Sequence, residues 1–164
     1  MDSEATEQEK VKQGYLYAVR LLAQSKRSEK ELGRKLTLKG FPEPVIVQIL
    51  ERLKTQRILN DAKLVEETVE WSIRSKGHGR RRIFSELKRR GISEKQIGDA
   101  LEKYPKEAER STAEDLAKNR WAKLQKLEPR KRMKRLYDFL INRGFDFDLA
   151  REIVAHIEHE HQNV

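Results

Sequence analysis

The chain repeats one local pattern three times, and that repetition restricts its fold more than any other property it has. Gly40, Gly91 and Gly144 recur at nearly equal intervals of about fifty residues. Each follows a basic residue (Lys39, Arg90, Arg143), has a leucine four positions earlier (Leu36, Leu87, Leu140), and has another aliphatic residue eight positions earlier (Leu32, Ile83, Leu136). Residues four apart share one face of a helix, so each segment predicts a helix with one buried side. The glycine supplies the left-handed residue that stops it, and the basic side chain suits the negative end of its dipole. The apolar residue that follows (Phe41, Ile92, Phe145) is placed to fold back onto the last turn.

A second helix follows each stop. Pro42, Ser93 and Asp146 stand at its start, Ser93 and Asp146 as N-caps and Pro42 with its φ already set for a first turn. Its buried face reads Ile46, Ile49, Leu50, Leu53, then Ile97, Ala100, Leu101, Tyr104, then Leu149, Ile153, Val154, Ile157. One more helix precedes each pair, near 12–25, 62–75 and 112–126, with Trp71 and Trp121 expected as anchors of the packing. The prediction is an all-α protein of three tandem three-helix repeats, 12–59, 60–105 and 106–158, stacked into an elongated, curved array. Residues 1–11 are expected to be a disordered tail and 159–164 a second tail.

Composition narrows the function. The absence of cysteine excludes disulfides, thiolate chemistry and every cysteine zinc site. No apolar run is long enough to span a bilayer and the acidic start is unlike an export signal, so a cytoplasmic protein without a membrane partner is expected. No nucleophile stands beside a base, no glycine-rich phosphate loop opens a helix, and no pair of acids holds a defined spacing; neither an enzyme nor a cofactor is predicted. His156, His159 and His161 cannot all share one helix face, so a metal site is not expected either.

The net charge of +9 is concentrated. Residues 74–90 hold eight basic side chains against one acid and residues 118–135 nine against one, which leaves the rest of the chain net acidic. Such a separation directs a field at a polyanion or an acidic protein surface. The loop Lys76, Gly77, His78, Gly79, Arg80, Arg81, Arg82 is the first candidate for contact, because two glycines open the backbone and three successive arginines cannot all face a core. Lys88, Arg89 and Arg90 extend it. The second candidate is the block Lys118, Arg120, Lys123, Lys126, Arg130, Lys131, Arg132, Lys134 and Arg135, which straddles Pro129 and so comes from two helices and their turn; Arg130, Lys131, Arg132, Lys134 and Arg135 are its contact residues. Although a helix, a glycine turn and a helix also describe a DNA-reading motif, the second helices begin with acidic residues, which does not fit groove reading.

The Leu-x-x-Lys-Gly-Phe turn at 36–41, Leu59-Asn60-Asp61, and Lys76-Gly77-His78-Gly79-Arg80-Arg81-Arg82-Ile83 followed by Glu86-Leu87 resemble the bacterial RecX proteins. The likeness covers residues 12–158. In the middle repeat this chain carries His78 where the family has an aromatic residue and Arg80 where it has proline. The resemblance implies a monomeric, non-enzymatic regulator that binds the RecA recombinase and its filament on single-stranded DNA. It would damp RecA's ATPase, coprotease and strand-exchange activities in recombination, DNA repair and the SOS response. The alternative from the residues alone is a basic helical protein that contacts DNA phosphates directly, and a weak direct DNA contact is compatible with either.

Overall fold

The computed structural model describes residues 6–162, and these residues form nine α-helices and no strand. They are α1 (Glu7–Gln24), α2 (Glu29–Leu38), α3 (Glu43–Thr55), α4 (Asp61–Arg74), α5 (Arg80–Arg89), α6 (Glu94–Glu102), α7 (Lys106–Lys123), α8 (Pro129–Asn142) and α9 (Phe147–Gln162). Three successive triplets thus realise the three expected repeats. The expected tails fall partly outside the described residues; within them, α1 begins at Glu7 and α9 runs through Gln162. Thr6 explains the early start of α1, since its side chain accepts the Glu9 N–H as an N-cap. The late end of α9 is held by His161, which bonds the Ile157 carbonyl through Nδ1 at 2.9 Å and meets the Trp121 ring edge-on.

Chain contacts gather the helices into two compact units. The first comprises residues up to Val65 together with Leu87–Ser93, the second Glu66–Glu86 and the chain from Glu94 onward. The middle repeat is therefore divided, as expected of repeats that each bury their apolar face against a neighbour. In the first unit α1, α2 and α3 enclose Ala18, Leu32, Leu36, Ile49 and Leu53. In the second, α7, α8 and α9 enclose Ala117, Trp121, Leu136, Leu140, Phe145 and Ile153. The leucine and aliphatic ladder ahead of each glycine is fully buried at all six positions. Truncating one of these leucines to alanine would cost about 2–5 kcal/mol through lost transfer energy and the cavity left behind.

Two expectations need correction. Helix α7 starts at Lys106, not near 112, because Pro105 acts as its N-cap with a φ of −61° and accepts the Glu109 N–H, while Glu107 and Glu109 favour the positive end of the dipole. Trp71 is 55% exposed rather than a core anchor. Val65, Val69 and Ile73 define the inner face of α4, and a residue two positions beyond Val69 points away from it. Trp71 instead lies under the Lys76 ammonium, 4.1 Å from its ring centre. Trp121, by contrast, is buried as expected.

The three glycine stops share one geometry. Gly40, Gly91 and Gly144 have φ of +94°, +86° and +87°. The N–H of the next residue donates to the carbonyl five positions back, Phe41 to Leu36, Ile92 to Leu87 and Phe145 to Leu140, at 3.2, 3.1 and 3.2 Å. Each glycine N–H donates to the carbonyl three back. These are Schellman closures, and they satisfy carbonyls that the helix end leaves orphaned. The glycines differ in what surrounds them. A methyl at Gly40 would meet nothing within 4 Å, whereas at Gly144 it would lie 2.5 Å from the Arg82 backbone nitrogen. Gly40→Ala should therefore cost about 1 kcal/mol, the penalty of the left-handed conformation alone. Gly144→Ala should cost at least roughly twice as much, because backbone must move as well. Urea unfolding of both variants checks this, and equal costs would refute the close approach.

Candidate binding surface

The predicted contact residues separate into a buried frame and an exposed set. Gly77, His78 and Gly79 are buried in the segment ahead of α5. A methyl on Gly79 would lie 2.4 Å from the Gly144 carbonyl, so the two backbones touch with no side chain between them. The Gly79 N–H donates to the Arg143 carbonyl at 2.9 Å, and the Arg81 N–H to the Gly144 carbonyl at 3.1 Å. Arg143 Nη1 reaches back to the Lys76 carbonyl at 2.7 Å.

The equivalent joint occurs in the first unit. There the Ser28 hydroxyl donates to the Arg90 carbonyl, and Arg90 Nη2 donates to the Lys26 carbonyl at 2.8 Å. Arg90 also grips the Glu31 carboxylate through Nε at 3.1 Å and Nη2 at 3.0 Å. Glu31 in turn closes a capping box with Ser28 at the start of α2. Burial alone would raise the Glu31 pKa, but the bonds from Arg90 and the Ser28 N–H outweigh it and hold the carboxyl below its ordinary value.

Arg80, Arg90 and Arg132 are consequently structural. The Arg80 backbone N–H and Nε bond the two oxygens of Glu109 at 2.9 and 2.8 Å, Nη1 bonds the Leu101 carbonyl at 2.7 Å, and Nη2 bonds that of Tyr104. Sequence inspection missed Glu109, which is buried near the start of α7 and caps α5 from a distance. No local pattern marks it, because its partner is 29 residues away. Arg132 lies over the Trp121 ring at 3.6 Å and donates to the Trp121 carbonyl at 2.8 Å; burial holds its pKa below the usual arginine value.

The exposed set comprises Arg81, Arg82, Lys88, Arg89, Arg130, Lys131, Lys134 and Arg135, while Lys76 is half-buried on Trp71. Lys88 and Arg89 belong to the first unit and the others to the second. Arg81 stacks on Phe147, 4.1 Å from its ring centre, and Phe147 is 45% exposed. Arg82 and Arg135, drawn from the two charge blocks, line one cleft in the second unit with Arg120 and Arg143. Phe139, Asp138 and Asn142 complete the lining. Among the described residues, no three His, Asp or Glu side chains come together as a metal site, and no helix is long and apolar enough to cross a membrane.

Three tandem three-helix domains, each with a glycine turn between its second and third helices, define a helical-repeat protein. Models of the first, second and third three-helix domains of RecX match residues 15–53, 60–101 and 107–154. The chain belongs to the RecX family. It is 36% identical over 142 residues to the regulatory protein RecX of Clostridium perfringens strain 13, covering 85% of this chain and 66% of that protein. It therefore spans just under two thirds of that relative's length. With the regulatory protein RecX of Mycobacterium sp. strain KMS it shares 34% identity over 159 residues, 94% of this chain and 85% of that protein. With that of Chlorobium phaeobacteroides strain BS1 it shares 35% over 146 residues, 89% and 94%. The crystal structure of RecX from Lactobacillus salivarius superposes with a TM-score of 0.82 at 23% identity, over 91% of this chain and 97% of that one, a likeness of fold.

Two stability predictions follow from these contacts. Arg80→Ala leaves the buried Glu109 charge unpaired and should cost about 3 kcal/mol, whereas Arg81→Ala should stay within about 0.5 kcal/mol. Urea titration of the two variants separates a frame residue from a surface one. His78 is held below its ordinary pKa of 6.5 by burial and by the charges of Arg82, Lys76 and Arg143, against an opposing pull from Glu86. The unfolded chain takes up that proton first, so His78's contribution is complete above pH 6.5 and is lost as the pH falls toward the lower folded value. His78→Phe, which restores an aromatic residue, should flatten the fall in melting temperature between about pH 7 and 5; an unchanged slope would remove His78 as its source.

Proposed function

We propose that this protein is a monomeric cytoplasmic regulator that binds RecA and its filament on single-stranded DNA and restrains the filament's ATPase, coprotease and strand-exchange activities. Membership of the RecX family across all three repeats carries the proposal, since the relatives are named regulatory proteins. The geometry is compatible with it. Arginine and aromatic side chains dominate the energetics of protein interfaces, and the exposed Arg81–Phe147 pair presents both on one spot. Lys131 and Lys134 on α8 add exposed positive charge that would steer approach to a nucleoprotein polyanion. Arg80 and Arg90 are left out of the contact surface because their guanidinium groups are engaged inside their own units.

The test is RecA's DNA-dependent ATPase with sub-stoichiometric regulator. Combining Arg81→Glu with Phe147→Ala should raise the half-inhibitory concentration by about tenfold or more, the scale of losing an interface anchor. Helicity by circular dichroism should not change. Wild-type inhibition by the variant would remove the pair from the contact surface, and an inactive wild type would defeat the proposal itself.

A further inference from the structure

The geometry points to a phosphate-binding site in the second unit, in the cleft where Arg82, Arg120, Arg135 and Arg143 converge around Phe139. The cleft has a volume of about 350 Å³, within the range of small-ligand sites. Its four guanidinium groups come from the first turns of α5, the last turn of α7, the middle of α8 and the cap of α8. The single carboxylate in the lining is Asp138.

These arginines, like Arg81 and Arg132, differ from the ion-paired ones. Arg74, Arg80, Arg90, Arg110 and Arg151 each have a carboxylate partner. Among the described residues no such ion pair forms at Arg82, Arg120, Arg135 or Arg143, although Asp138 is in the same cleft wall. Arg27, Arg120 and Arg132 each have a buried Nε without a hydrogen-bond partner; of the three, Arg120 lines this cleft, where a bound acceptor would complete it. The helix dipole at the end of α8 offsets only roughly half a charge, so it cannot balance the cluster.

Three of the four are also held in place. Arg82 Nη1 donates to the Asn142 carbonyl at 3.0 Å and Arg143 Nη1 to that of Lys76 at 2.7 Å. Arg120 and Arg143 each lie against Phe139, 5.4 and 5.2 Å from its ring centre. Like charges fixed in advance around a cavity lower the ordering cost of binding an anion. Several helices supplying donors from different directions suit the tetrahedrally arranged oxygens of a phosphate ester better than the coplanar two of a carboxylate. A phosphate monoester's nearly two negative charges, or two successive phosphodiesters of a strand, also match the excess better than one carboxylate would.

The ligand's source is either a strand phosphodiester or a free phosphate ester. This inference does not depend on the partner proposed above, and its test uses the chain alone. Thermal unfolding and the Arg120 Nε–H resonance are followed while inorganic phosphate, ATP, a fluorescent oligothymidylate or polyglutamate is added. In the wild type a phosphate ligand should raise the melting temperature and shift the Arg120 signal. Arg120→Gln with Arg135→Gln should weaken binding by roughly a hundredfold, tenfold for each guanidinium removed. Asp138→Asn should tighten it several-fold. A response to oligothymidylate alone assigns the strand, and a response to phosphate or ATP assigns the free ester; both support the site. No response to any phosphate, an equal response in the double-arginine variant, or an equal response to polyglutamate overturns it.

Discussion

The structure depends on a joint at which the carbonyls of a glycine turn are taken up by the segment ahead of another helix. A helix ends on a left-handed glycine, and the turn it makes presents its carbonyls to the segment that opens the second helix of the preceding repeat. In the second unit the Gly79 and Arg81 amides take up the carbonyls of Arg143 and Gly144; in the first the Ser28 hydroxyl takes that of Arg90. The arginine before the glycine then reaches past the joint to one further carbonyl, Lys26 in one case and Lys76 in the other. A guanidinium has enough donors to close such a turn and still bind elsewhere, as Arg90 does with Glu31. Lysine offers no planar fork, which gives a reason for arginine at these two turns.

The joint sorts the positive charge. Within the run Arg80-Arg81-Arg82, one side chain turns inward to Glu109, one lies on an exposed ring, and one borders a cleft. Successive residues at the start of a helix point in directions about 100° apart, so the three were bound to have different surroundings. Charge counted along the chain overstates what a partner can meet, because Arg80, Arg90 and Arg132 bond carbonyls and carboxylates of the protein itself.

The helices, their order and the three stops were legible from periodicity and from the glycines, because those features are local: four-residue spacing and a positive φ need no distant partner. Pro105 showed where a boundary lay but not on which side the helix would grow. The size of Trp71 suggests burial, but its angular position on α4, two residues beyond Val69, turns it to solvent. Glu109 and Arg143 were beyond sequence inspection as site residues for a different reason. Their roles arise from contacts 29 and 67 residues away, and a single sequence carries no mark of such pairing. Three of the four cleft arginines, Arg82, Arg120 and Arg135, stand in the two charge blocks; Arg143 lies outside both, and its local sequence marks only the end of a helix.

The contact of Gly79 with Gly144 excludes side chains from the place where the two backbones meet. Outside the glycines, the arginine and the aliphatic ladder, the joint sets few demands on what the neighbouring positions carry. Surface chemistry can therefore drift from repeat to repeat without disturbing the frame. A cationic α8 and an acidic α9 can share one architecture. Such a frame separates the inheritance of shape from the inheritance of specificity, and relatives can keep a TM-score of 0.82 while three quarters of their residues differ.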